Sequence, residues 1–167
     1  MVTGYEAAGP WGEPTIINVD NTEEEWLPLP GSSKAYPDVP EHIARLASEA
    51  NVCLQAGAQR GAIILARGVI EATAKEKGIT TGNLFAKIDE LHTQGLIREH
   101  IREAAHEVRL EGNDIAHADL MQLPISIDEA SEVIQLVDEL LVEVYQSPAR
   151  VARVRQARAA RNNSAST

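Results

Sequence analysis

The chain has 167 residues, of which 44% are apolar and only 4% aromatic, and its formal net charge is −10. That size and apolar content suit one ordinary domain with a real core, and the single cysteine, Cys53, excludes both an internal disulfide and a cysteine-built zinc site. The first residues lack the basic and apolar blocks of a signal peptide, and no run approaches the ~20 apolar residues of a membrane helix, so the expectation is a soluble, cytoplasmic protein. The charge is unevenly spread. All 25 acidic side chains lie at or before Glu143, whereas Arg150, Arg153, Arg155, Arg158 and Arg161 follow it. A polyanion is repelled over most of such a surface, so any nucleic-acid contact has to be local, in the tail or in a cleft.

Residues 1–37 form an arm rich in Gly and Pro, without helical periodicity and with Thr15 to Val19 as its strand-like run. Trp11, Trp26, Leu27 and Leu29 are costly to leave in water, so Trp26 to Leu29 is expected in a groove of this subunit or of a partner. A first helix starts near Pro40, with Asp38 as candidate cap, and carries the stripe Ile43, Leu46, Ala47, Ala50, Cys53 and Leu54 before Gly57 stops it. The second, from about Ala58 to Lys77, is apolar nearly all round, as the central helix of a bundle must be. Arg67 and Glu71 interrupt it four residues apart, where an ion pair can form on one face, and Gly61 and Gly68 permit close approach of another helix. The bland reading of Arg67 and Glu71 is an amphipathic face whose charged ends reach water.

A third helix is predicted over Asn83 to Thr93, and a fourth from near Ile97. Gly112 either breaks that fourth helix or is required by close packing, since a helical glycine costs roughly 1 kcal/mol against alanine. Ser126 followed by Glu129 is a capping box, opening a fifth helix with the stripe Ile127, Ala130, Ile134, Val137, Leu141 and Val144. From Pro148 a short basic helix is expected to run out into a disordered Asn162 to Thr167. The reading is therefore all-α: an antiparallel bundle of four to five helices over 38–146, preceded by an irregular arm (1–37) and followed by a basic segment (147–167).

Chemistry-bearing residues gather in Arg109 to His117. In a continuous helix Arg109, Asn113 and His117 stack four apart on one face, and His106 extends that ledge by a turn. An imidazole with an ordinary pKa near ~6.5 moves protons, and a guanidinium holds phosphate, the minimum kit for metal-free RNA cleavage. The same residues can equally pin neighbouring helices, and from spacing alone a structural histidine is the plainer outcome. His42, His92 and His100 show no metal-binding spacing, and neither a Gly-rich phosphate loop nor a serine-nucleophile signature is present. No metal and no cofactor is expected.

The run Tyr36-Pro37-Asp38-Val39-Pro40, then Glu49-Ala50, Cys53-Leu54, Ala58, the segment Ala66 to Glu71, Lys87-Ile88 and Gly112 to His117, resembles the domain-of-unknown-function family 4145. That family is grouped with the HEPN helical domains of bacterial toxins and defence systems. The resemblance covers about residues 36 to 145. It implies a helical bundle that dimerises and, in active members, a metal-independent RNase using an arginine, four to six residues, then a histidine, with two such motifs meeting at the dimer cleft. His117 matches the histidine and Asn113 the polar residue after the arginine, but Gly112 stands in the arginine's place and Arg109 is one residue too distant. Many relatives carry a zinc ribbon before the Tyr-Pro-Asp-Val-Pro run, and the arm here, which lacks cysteine, resembles a metal-free remnant of it.

Three functions follow as expectations. One is a non-catalytic or weakly active HEPN-like module of defence biology, a homodimer binding RNA, nucleotide phosphate or a protein partner in a cleft lined by Arg109, Asn113 and His117, with Arg67, Glu71 and His106 as further ligand-binding residues. The second is a metal-independent endoribonuclease in which His117, Arg109 and Asn113 are catalytic. The third is an adaptor that binds a protein partner through 1–37 or 147–167, without contact with membranes.

Overall fold

A computed structural model describes residues 7–8, 14–15, 33–117 and 125–164 of the chain, and the side chains of residues 33–116 and 125–163. Among them are six α-helices, which form an all-α bundle with a long C-terminal extension. In the arm, β1 (Ala7–Ala8) and β2 (Pro14–Thr15) make a two-residue antiparallel ladder. The expectations for Trp11, Trp26 to Leu29 and the remainder of the strand-like run fall outside the described residues.

Helix α1 (Glu41–Gln55) starts behind Pro40, whose missing N–H costs nothing at a helix entrance. Asp38 does not cap it. With a left-handed φ of 64°, Asp38 instead turns its carboxylate to Arg153, 2.6 Å away. Left-handed Gly57, Gly78 and Gly95 follow α1, α2 (Gln59–Glu76) and α3 (Leu84–Thr93), conformations that residues with a Cβ reach only at a cost. The Asn83 side chain caps α3 by accepting the Ala86 N–H at 2.9 Å. The expected capping box is present at α5 (Ile127–Leu141): Ser126 Oγ accepts the Glu129 N–H, and Glu129 Oε2 accepts the Ser126 N–H at 2.8 Å.

The core is aliphatic, with Ile43, Ile63, Ile70, Ile88, Leu91, Ile101, Val108, Leu140 and Leu141 fully buried. Burying each such side chain is worth about 1.5–3 kcal/mol. Helix α2 is its centre, packing on α1, α3, α4 (Glu99–His117) and α5. Gly61 and Gly68 serve close approach within the subunit, since their Cα atoms face Cys53 and Leu46 of α1. The stretch before α1 is pinned too. Tyr36 donates its hydroxyl to Asp138 at 2.7 Å and accepts from Asn51, while Lys34 also pairs with Asp138. Burial, and then the carboxylate beside it, push the Tyr36 phenol well above its ordinary pKa.

Past Leu141 the chain does not stop. A π turn over Val142–Gln146 leads directly into α6 (Ser147–Ser164), with the Ser147 N–H bonded to the Val142 carbonyl. Pro148 explains the wider turn. In a regular α-helix its ring would press on the Val144 carbonyl four residues back, and the five-residue spacing opens that turn. The C-terminal helix is thus neither short nor ended before Asn162. From Arg150 to Asn163 every residue is exposed. No described helix is long and apolar enough to cross a membrane.

Candidate functional site

Helix α4 runs unbroken through Gly112 to His117, so His106, Arg109 and Asn113 share a face as their spacing requires. His117 ends that helix, and its side chain lies outside the described residues. The reason a glycine is kept in a buried helical position is Arg67. A Cβ on residue 112 would stand 2.7 Å from Arg67 Cδ and 2.9 Å from its Cβ, closer than carbon atoms approach. The Arg67 stem lies across this gap, and its Nε donates to Asn113 Oδ1 at 3.0 Å. Helices α2 and α4 are clasped by a guanidinium at the position where the resembled motif carries its arginine.

Glu71 takes other partners than the one expected of it. Its Oε1 accepts from Lys87 at 3.1 Å and from Lys75 at 3.0 Å, so the anticipated Arg67–Glu71 pair is replaced by one bond within α2 and another to α3. The reason is reach: Lys87, only 5% exposed, has to find a carboxylate, and Glu71 is the one that meets it. The bonds from Lys75 and then Lys87 hold the Glu71 carboxyl below its usual range.

His106 is oriented by α3. Its Nε2 lies 3.1 Å from Asp89 Oδ1, which also accepts from Arg102 at 2.8 Å. Arg102, and after it His106, keep the Asp89 carboxyl lower than ordinary. The imidazole stacks on Phe85, with ring centroids 4.7 Å apart, and the Arg109 guanidinium lies 5.4 Å from the same ring. Two buried polar atoms on this ledge, His106 Nδ1 and Arg109 Nε, have no hydrogen-bond partner among the described residues. A buried donor left unmade costs about 1–3 kcal/mol, so a site that keeps one has a use for it or has lost a partner.

The structure therefore brings Arg67 to Asn113 and stacks His106 and Arg109 on one ring, while it sets Glu71 in a separate cluster with Lys75 and Lys87. Four participants escaped sequence reasoning: Phe85, Lys87, Asp89 and Arg102. For Arg102 a signal existed, since it precedes His106 by four residues as Arg109 precedes Asn113. Phe85, Lys87 and Asp89 come from another helix, and spacing along α4 says nothing about them. Among the described residues no three His, Cys, Asp or Glu side chains group to hold a metal ion.

What the arrangement offers chemically is cationic and planar. Arg67 presents terminal nitrogens that bond to no described residue, Arg109 keeps an unused donor, and Phe85 exposes 49% of its surface beside Arg109. Guanidinium forks match phosphate, and an exposed ring offers a face to a nucleobase. A family model described as a domain of unknown function (DUF4145) matches residues 48–157, a span that contains every residue of this ledge. No curated protein and no solved structure matches the chain.

Proposed function

The chain belongs to the family described as a domain of unknown function (DUF4145), and we propose that this member is a HEPN-like module that holds the phosphate of RNA or of a nucleotide without cutting it. A homodimer in bacterial or phage defence is part of the reading, as the HEPN resemblance implies. The observation that carries it is the clasp at Gly112. A motif arginine at that position collides with Arg67, which already fills the space and engages the Asn113 amide oxygen. The cation is retained on the ledge while the catalytic spacing is lost. Binding needs only the former. Cleavage needs both, because a proton-transfer group and the charge that steadies the reacting phosphate must be positioned together.

The test is titration of labelled single-stranded RNA and of mononucleotides with metal chelated, read for affinity and for cleavage. Wild-type protein is expected to bind and leave the RNA intact. Arg67→Ala and Arg109→Ala each remove a charge-assisted contact worth about 1.5–3 kcal/mol, on the order of tenfold to a hundredfold in affinity. Variants that bind as the wild type does, or a wild type that binds neither probe, overturn the reading. Metal-independent cleavage abolished by His117→Ala makes the protein an RNase instead.

A further inference from the structure

Helix α6 carries a face that no described residue outside the helix is seen to cover. Val151, Val154, Arg155, Arg158 and Arg161 recur at helical spacing along one side, with Val154 65% exposed, and the three arginines form no ion pair among the described residues. Arg153 projects to the opposite side and is held by Asp38. A helix with so little packing is marginal alone in water, which points to a partner.

The complement of that face lies on the same molecule. Between α4 and α5 a groove contains two cavities of about 390 and 490 Å³. The first is walled by Glu107, Glu111, Glu129 and Glu132 over an apolar floor that includes Ile63 and Leu136. The second continues along α5 past Glu139 and Val142 to Ser147, where α6 begins. The second cavity also holds Arg98 and His100, so it is the first, with its four glutamates over an apolar floor, that complements a basic helix with an apolar seam. The helix does not fold back into its own groove, because the π turn leads from α5 directly into α6.

We propose that α6 of one copy docks in the α4/α5 groove of a second copy, and reciprocally, in a two-fold exchange centred on the π turn. Antiparallel placement fixes the register. Arg158 and Glu132 are equally far along the helix from Tyr145, as are Arg161 and Glu129, and so are Val154 and Leu136. Such a dimer is isologous and closed, each groove filled by the other copy's helix. The groove is an interface between copies, and its acidity selects the arginine face against any polyanion competing for it.

Light scattering on the full-length protein across the micromolar range tests this. Wild type is expected to be a dimer that weakens with salt, and Arg158→Glu to raise its dissociation constant at least about tenfold. Adding Glu132→Arg to Arg158→Glu restores the dimer. Both positions are exposed, so circular dichroism of the variants should show the same helix content as wild type. Val154→Asp, which tests the apolar seam, should give monomer as well. A monomeric wild type, or a dimer unaffected by Arg158→Glu, overturns the proposal. So does a charge-reversed pair that stays monomeric, while a monomer that binds RNA through Arg158 assigns the helix to nucleic acid.

Discussion

Helices α2 and α6 are each 18 residues long and meet opposite fates. The first buries seven residues and touches four other helices, whereas the second shows water every described side chain beyond Arg150. Sequence makes the difference: α2 has apolar residues around most of its circumference, α6 has two valines among five arginines. The lesson concerns where polar groups can be used. On α2 the surrounding core fixes both charged residues in place, Arg67 toward Asn113 and Glu71 toward Lys75 and Lys87. Arg153 is held by Asp38, and Arg155, Arg158 and Arg161 await an outside surface to order them.

Mutations sharpen that contrast. The largest effect is expected for Ile70→Ala in α2, which empties a fully buried position and should cost about 2–5 kcal/mol by denaturant unfolding. Next comes Glu71→Ala, which strands the buried Lys87 ammonium and is expected to cost about 1–3 kcal/mol, read by the same measurement. Gly112→Ala gains helix propensity yet forces Arg67 aside, so a net loss of about 1 kcal/mol is expected, smaller in an Arg67→Ala background where Cδ is gone.

Acid should then act on the α2–α3 and α3–α4 contacts. Glu71 and Asp89 are held below their ordinary values, so what they contribute is complete above about pH 5 and fades as pH falls through their lowered values. Melting temperature against pH should therefore fall on the acid side, and Glu71→Gln should make that limb shallower. The smallest effect belongs to α6: Val154→Ala, measured dilute enough to keep copies apart, should shift unfolding by no more than about 0.5 kcal/mol.

Much of the bundle was legible because helix signals are local. Gly57, Gly78 and Gly95, the expected start at Asn83 and the Ser126 and Glu129 box mark ends within a residue or two of those observed. The face shared by His106, Arg109 and Asn113 was legible for the same reason, being a property of one helix. Partners across helices were not. Nothing near Glu71 announces Lys87, and nothing near His106 announces Asp89 or Phe85, since those meetings depend on the packing of α3. Gly112 could be read as a break or as a close contact, and only the path of Arg67 decides between them. Pro148 suggested a helix start, whereas the π turn before it lets one helix continue into the next.

The measurement closest to the central claim is the affinity of single-stranded RNA, with metal chelated, for wild-type protein against Arg67→Ala. Intact RNA bound by the wild type, and bound at least about tenfold more weakly by the variant, is what a guanidinium clasped to Asn113 and reaching phosphate requires. Equal affinity in the two proteins, or RNA cut by the wild type, would contradict it.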